Sequence, residues 1–235
     1  MTRNRFTVAG GGPVGSLLAI LLARHGYDVG LYEGRPDSRV TNIYQGKSIN
    51  IALSDRGWHS LEQIGISADA KADAIPMYHR AIHGLDGELS ALPYGNEGDA
   101  IWSVSRGGIN EQLLDVAASE PKVDAHFEHR LVDVDFETAS AEFQVQGEHE
   151  VAIDADYLFG ADGAHSKVRR LAHDLPRFSY SQEYMPQSYI ELHIPANPDG
   201  SHKLEKNALH IWPRKHFMLI ALPNPDGTFT CTLFL

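Results

Sequence analysis

The 235 residues, 43% of them apolar and 22% charged, suffice for one large domain or two small ones around a sizeable core. A formal net charge of -11 argues against nucleic acid or an anionic membrane as a general partner, because both select for concentrated Lys and Arg. The single cysteine, Cys231, excludes an internal disulfide and any multi-cysteine metal site, fits a reducing compartment, and reads as a small strand hydrophobe.

The first elements organise the chain. The apolar run Phe6-Thr7-Val8-Ala9 predicts a strand, and Ser16 to Ala23, rich in Leu and Ala, predicts a helix that runs to Gly26. Between them Gly10, Gly12 and Gly15 have G-x-G-x-x-G spacing: Gly10 for the tight turn, Gly12 for close approach of a pyrophosphate to bare backbone, Gly15 for close packing of helix on sheet. The anion would sit on the helix N-terminus, where free N–H groups and the positive dipole end point. A second strand, Asp28 to Tyr32, ends at Glu33, placed to accept hydrogen bonds from a ribose. The Leu-rich helix is too short to cross a bilayer and no charged-then-apolar leader precedes Phe6, so a cytoplasmic protein is expected.

After Glu33 the stretch from Gly34 to Ser38 reads as a loop, in which Arg35 either reaches a phosphate or the adenosine end or is a solvated loop arginine. Gln45 to Leu53 alternates weakly, Ser54-Asp55 reads as a helix cap, and Trp58, Leu61 and Ile64 fall three apart before Gly65. From Ile75 the period switches towards two, and Asp86-Gly87 between Tyr78–His83 and Glu88–Leu92 is a hairpin signal that suggests a second, antiparallel layer. Such a hairpin can bring Arg80 and Tyr94 together as a carboxylate-binding pair; the alternative is a surface arginine beside an interfacial tyrosine.

Ile101–Ser105 reads as a strand delivering Arg106 to the start of a helix over 109–118, to contact a flavin or pyrophosphate or merely to cap the fold. Segments 123–127, 130–136, 141–146 and 151–158 alternate as strands do and predict a short meander. The last runs into Phe159-Gly160-Ala161-Asp162-Gly163 and a basic helix, a second glycine-bearing turn whose N–H groups and Arg169 are available to an anion, with Asp162 placed for a hydroxyl or for the helix start; the alternative is an Asp-Gly turn followed by a capped helix. Beyond Arg177 four strands, 188–194, 208–212, 217–222 and 228–235, predict a four-stranded antiparallel sheet. The pairs His79/His83 and His126/His129 have strand spacings unsuited to a shared metal, and no metal is expected.

The two glycine turns, with Glu33 and Arg35 between them, resemble the FAD-dependent aromatic hydroxylases of the glutathione-reductase-like fold. Lys47 to Gly57, Ile75-Pro76-Met77, Leu92-Pro93-Tyr94-Gly95, Ser103-Val104-Ser105-Arg106, Leu209-His210-Ile211-Trp212-Pro213-Arg214 and Ala221-Leu222-Pro223-Asn224 resemble the branch of that family that hydroxylates kynurenine.

The resemblance implies an α/β fold: a Rossmann-like FAD-binding domain (1–74 and 101–178) with an inserted antiparallel β-sheet substrate domain (75–100 and 179–235). It matches Val14, Glu33, Arg35, Ala52, Arg106, Leu131, Asp162 and Gly163 to flavin-binding positions, beside Gly10, Gly12 and Gly15, and matches Arg80 and Tyr94 to the pair that holds the substrate carboxylate. Leu209, Met218, Ile220, Leu222 and Phe234 match the apolar wall over the substrate ring, and alternation alone puts Met218, Ile220 and Leu222 on one sheet face. Lys167 departs from the small hydroxyl residue expected after Ser166.

The implied chemistry is NADPH reduction of FAD, reaction with oxygen to a flavin hydroperoxide, and hydroxylation of L-kynurenine beside its aniline nitrogen, with no catalytic side chain or metal demanded. Family members continue beyond the length of this chain, so a chain truncated at its C-terminus, the N-terminal portion of such an enzyme, is expected, with the remaining half as its partner. The competing readings are a non-catalytic FAD-binding module and a hydroxylase of another aromatic acid.

Overall fold

The computed structural model describes residues 5–41 and 50–235. By internal contacts the chain divides into two compact units, residues 1–45 with 110–182 and residues 46–109 with 183–235. Residues 46–74 and 101–109, expected with the nucleotide domain, group with the second unit. The start of the weakly alternating segment, and with it Lys47-Ser48-Ile49, lies outside the described residues.

In chain order the elements begin with β1 (Arg5–Ala9), α1 (Pro13–Arg24), β2 (Asp28–Tyr32), β3 (Asn50–Leu53), α2 (Asp55–Ile64) and α3 (Ser67–Ala72). Next come β4 (Ile75–Met77), β5 (His79–His83), β6 (Leu89–Pro93), β7 (Ile101–Ser105) and α4 (Arg106–Ser119). Then follow β8 (Val123–His126), β9 (His129–Asp135), β10 (Ser140–Val145), β11 (His149–Ile153), β12 (Tyr157–Gly160) and α5 (Lys167–Ala172). The chain ends with β13 (Tyr189–Ile194), β14 (Ala208–Pro213), β15 (Met218–Pro223) and β16 (Phe229–Phe234).

The first unit is built on a parallel sheet of order β12-β1-β2-β8. Helix α1 packs on β1 and β2 and buries Ser16, Ala19, Ile20 and Ala23, the stripe that a 3.6-residue period lays against a sheet. A meander β11-β10-β9 completes the unit, and Tyr32, Leu131, Val134, Ala141 and the fully buried Phe143 form the core that joins it to the parallel sheet. Burying a side chain of Phe143's size contributes about 2–3 kcal/mol.

Two expectations need correction here. Val123–His126 belongs to the parallel sheet beside β2, not to the meander. The stretch 151–158 is two strands in two sheets, because Asp156 breaks it: its carboxylate accepts the Arg5 N–H at 3.0 Å and its own N–H donates to the Arg5 carbonyl at 2.9 Å. The chain thereby leaves the meander and enters the parallel sheet next to β1.

The second unit contains a six-stranded sheet of order β13-β16-β15-β14-β5-β6 and a three-stranded sheet β3-β7-β4. The hairpin forms as the Asp86-Gly87 signal predicts, with Gly87 at φ +86°. Hairpin and the four later strands share one sheet, as their grouping in a single β-sheet domain expects, but that sheet is mixed and not wholly antiparallel, because β5 pairs in parallel with β14. Helix α2 buries Trp58, Leu61 and Ile64 as their spacing predicts, but the Ser54 side chain makes no cap hydrogen bond.

The two sheets of this unit are tied by polar side chains. Asn50 donates from Nδ2 to Ser103 Oγ at 3.0 Å and to the Pro223 carbonyl at 3.2 Å, and also contacts the Asn224 side-chain oxygen. Ser103 Oγ donates to the same Pro223 carbonyl at 2.8 Å. Cys231 is buried with Ala221 and Phe229, and burial pushes its thiol up to about 11, so it is an unreactive core residue as its sequence setting suggests.

Candidate functional site

In the first unit the two glycine turns, 150 residues apart in sequence, meet. Gly10 has φ +111°, and a Cβ there would lie 2.4 Å from the Ala161 carbonyl oxygen and 2.8 Å from the Asp162 nitrogen. A Cβ on Gly15 would lie 1.8 Å from the Gly10 carbonyl oxygen, so the turn can close onto α1 only without a side chain at that position. A Cβ on Gly12 would meet nothing within 4 Å. The three glycines therefore divide as their spacing predicts: two for chain packing, one facing open space in front of the helix.

Pro13 opens α1 with no N–H, no acid occupies the first turn, and Val14 is 72% exposed. The N–H groups of Val14 and Gly15 have no intrahelical acceptor, which leaves donors and a positive dipole end in the space before Gly12. An apolar side chain presented there suits a partly aromatic ligand carrying an anion.

Glu33 braces this turn. Its Oε2 accepts the Gly11 N–H at 2.8 Å, and its Oε1 accepts the Arg35 backbone N–H at 2.9 Å and the Arg35 Nε at 2.8 Å, with Arg35 Nη2 at 3.3 Å from Oε2. Burial alone raises its carboxyl pKa, but the Arg35 and Gly11 hydrogen bonds outweigh burial and hold it below the ordinary value. All four lone-pair directions of the carboxylate are thus engaged, the weakest hold being the half-exposed Arg35 arm, whose Nη2 contact is the longest of the four. Leu131 sits in β9, whose start is tied to this loop by hydrogen bonds from the His129 N–H to the Glu33 carbonyl and from the Glu128 N–H to the Arg35 carbonyl; its side chain is in the core.

At the second turn the capped helix, one of the two readings of the sequence, is the one that forms. Asp162 Oδ2 accepts the N–H groups of Lys167 at 2.6 Å and Val168 at 3.1 Å. Ser166 Oγ caps the Arg169 N–H at 3.0 Å, and Arg169 Nη2 donates to the Ala164 carbonyl at 2.6 Å. The helix start is therefore satisfied by the chain's own side chains, and what remains is an acceptor: Asp162 Oδ1 is buried without a hydrogen-bond partner. Leaving such an oxygen bare costs about 1–3 kcal/mol, which a hydroxyl donor from a bound molecule offsets. Gly163, at φ +79°, lies next to it. A bare cradle at Gly12 and an orphaned acceptor at Asp162, on turns in mutual contact, fit a dinucleotide bearing a polyhydroxyl chain.

In the second unit the strand registers collect the expected substrate residues on one face. Arg80 pairs with Leu209, Ile211 with Ile220, Pro213 with Met218, and Met218 with Phe234; because cross-strand partners and residues two apart share a face, Arg80, Leu209, Met218, Ile220, Leu222 and Phe234 all lie on the same side of the six-stranded sheet. Sequence alternation alone reached Met218, Ile220 and Leu222; joining Arg80, Leu209 and Phe234 to them depends on registers that only the folded sheet reveals.

The Arg80 guanidinium lies 4.0 Å from the Tyr94 ring centroid, stacked on its face. Burial pushes the Tyr94 hydroxyl above its ordinary pKa, against a smaller opposing pull from Arg80, so at neutral pH it is a donor. Among the described residues no carboxylate is within ion-pair distance of Arg80. A half-buried guanidinium beside a phenol donor, at the edge of an apolar wall, has the chemistry to accept a carboxylate attached to an apolar ring. Ala52 is an exposed residue of β3 and Arg106 an exposed residue at the start of α4. Among the described residues no group of three or more His, Cys, Asp or Glu is arranged to hold a metal, and no helix is long and apolar enough to cross a membrane.

Residues 5–224 match the FAD binding domain family. The chain is 45% identical over 236 residues to a kynurenine 3-monooxygenase of Flavobacterium johnsoniae, covering 100% of this chain and 52% of that protein. It is 43% identical to the kynurenine 3-monooxygenase of Sus scrofa over 99% of this chain and 49% of that protein. The chain thus spans about half the length of the curated relatives it matches. Among solved structures, p-nitrophenol 4-monooxygenase from Pseudomonas putida superposes with a TM-score of 0.81 at 15% identity, over 98% of this chain and 57% of that one, a likeness of fold.

Proposed function

This chain belongs to the FAD binding domain family, and we propose that it is a portion of a kynurenine 3-monooxygenase about twice its length. The observation that carries the reading is the sheet face on which Arg80, next to the Tyr94 ring, ends a row of apolar side chains. The 41–45% identity to proteins of that name, over nearly the whole chain, supports it.

Residues 1–74 and 101–178 serve FAD and residues 75–100 and 179–235 serve the substrate. Gly12 and the α1 N-terminus receive the pyrophosphate, Glu33 and Arg35 the adenosine ribose, and Asp162 Oδ1 a hydroxyl of the ribityl chain or pyrophosphate arm; Val14, Ala52, Arg106, Leu131 and Gly163 complete the flavin contacts. Arg80 and Tyr94 fix the amino-acid carboxylate of L-kynurenine, while Leu209, Met218, Ile220, Leu222 and Phe234 hold its ring and exclude water. Bound FAD, reduced by NADPH, supplies the oxygen chemistry that hydroxylates the ring beside the aniline nitrogen; the protein contributes orientation and a dry site. A cytoplasmic setting belongs to the same proposal.

The flavin half is tested by titrating the protein with FAD and following its absorbance. Asp162→Asn keeps an oxygen for the Lys167 and Val168 N–H groups but turns the orphan acceptor into a donor, so its FAD dissociation constant is expected to rise about tenfold or more. Unchanged affinity in that variant removes Asp162 from the flavin site.

A further inference from the structure

We infer that His83, His210, Trp212 and Arg214 form a lock on the far side of the substrate sheet, whose work is to hold the Arg80-bearing hairpin in register. The inference rests on the reading of Arg80 as the carboxylate-binding residue.

The need for a lock follows from topology. Among the described residues β5 pairs only with β6 and β14, and β6 pairs only with β5, so the hairpin is the outer end of the sheet. It is attached through four parallel pairs, Ala208–His79 to Ile211–Ile82, and parallel ladders are slightly less stable per residue than antiparallel ones. At its start β5 is pinned by the Tyr78 N–H donating to the Asn207 carbonyl at 3.0 Å and by Asn207 Nδ2 donating to the Pro76 carbonyl at 2.8 Å. At its far end the ladder stops, because Pro213 has no N–H.

Side chains take over there. Arg214 Nη1 donates to the His83 carbonyl at 3.0 Å. The His83 ring stacks on Trp212, with centroids 4.1 Å apart and planes 13° apart. His83 Nε2 lies 3.0 Å from His210 Nδ1, and His210 Nε2 lies 2.9 Å from the Glu205 carbonyl oxygen. That carbonyl only accepts, so His210 carries its proton on Nε2, its Nδ1 is the acceptor, and His83 is the donor. Leu209 and Ile211 face the substrate side while His210 and Trp212 face the lock, so one strand serves both.

The charged groups around the pair are few. His79, on β5, has its Nε2 3.3 Å from Glu205 Oε2, and Arg214 flanks His83; Phe229 of β16 packs edge-on against His210. Burial is the largest cause lowering the pKa of both rings; His210 and Arg214 add to it at His83, while at His210 the Glu205 carbonyl and carboxylate pull the other way without overcoming burial. A histidine held below its unfolded value of 6.5 contributes full stability above that pH and loses it as pH falls through 6.5, because the unfolded chain then binds protons that the folded one refuses. The lock is accordingly intact throughout the neutral range.

Two readouts test it. Without substrate, nitrogen NMR of the side chains is expected to show neutral His210 as the Nε2–H tautomer, its proton uptake shifted to lower pH than that of an exposed imidazole; two rings titrating as exposed imidazoles would overturn the lock. In the full-length FAD-loaded protein, His83→Leu is expected to raise the KM for L-kynurenine about tenfold with kcat unchanged, and His83→Gln, which retains an N–H donor, to restore most of it. A KM unchanged in His83→Leu, or equal losses in both variants, overturns the inference. Arg80→Ala separates the two levels: if it raises KM and His83→Leu does not, the lock alone falls; if neither does, the carboxylate reading falls and the lock's role in positioning falls with it.

Discussion

Gly15→Ala is expected to lower the melting temperature by about 6–12 °C and to abolish FAD binding. A Cβ there would lie 1.8 Å from the Gly10 carbonyl oxygen and 3.2 Å from the Ala161 Cβ, and the first of these is backbone that cannot rotate away. Either α1 moves off the sheet or the turn opens. Overpacking of this kind costs about 1–3 kcal/mol, and at the upper end, with a chain of this length losing about 2–4 °C per kcal/mol, the drop is about 6–12 °C. The same displacement disrupts the contact between the two glycine turns, so flavin affinity falls by more than stability alone predicts. Gly12→Ala is the internal control, since its Cβ would meet nothing within 4 Å. It is expected to melt near the parent temperature and still lose FAD, because the added methyl occupies ligand space. Equal melting temperatures for the Gly15 variant and the parent would contradict the packing account of the turn.

Arg80→Ala is expected to raise the KM for L-kynurenine about 30- to 150-fold while flavin content stays unchanged. Truncating one member of a desolvated, charge-assisted pair costs about 2–3 kcal/mol, and each 1.4 kcal/mol is tenfold. Stacking on Tyr94 fixes the guanidinium in place, so Arg80→Lys, which keeps charge but not the planar fork, recovers only part of the loss. An analogue lacking the carboxylate should bind parent and variant alike. A KM shifted equally for both ligands would mean that the substitution disturbs the sheet rather than the carboxylate.

How much of this was legible in the sequence depends on the range over which each feature is determined. The glycine turn, α1 and Glu33 are local: period, spacing and turn chemistry fix them within some 30 residues, and the structure reproduces strand, turn and helix with Gly10 and Gly15 in close packing, though it also shows Glu33 bracing the turn through the Gly11 N–H. The hairpin was equally local, but its membership of the six-stranded sheet was not, because a parallel pair between β5 and β14 joins segments 129 residues apart and leaves no periodic trace. The strand break at Asp156 was readable in principle, since an aspartate pair in an apolar run is a turn signal, yet alternation on either side masked it. Asp162 shows a further limit. Both of its candidate roles were visible, hydroxyl acceptor or helix start, and the structure divides them between its two oxygens, Oδ2 for the helix and Oδ1 unpartnered. The hairpin offered Arg80 and Tyr94 as a pair and resemblance favoured that reading, but nothing in spacing could reveal His83 against His210, whose contact exists only once the sheet is assembled.

The most direct test of the proposed activity is L-kynurenine-dependent NADPH oxidation by the FAD-loaded full-length product of the locus encoding this chain, with the aromatic product identified. Stimulated oxidation that yields 3-hydroxykynurenine is the predicted result. A yellow protein whose NADPH oxidation ignores L-kynurenine, or responds instead to another aromatic acid, would contradict it.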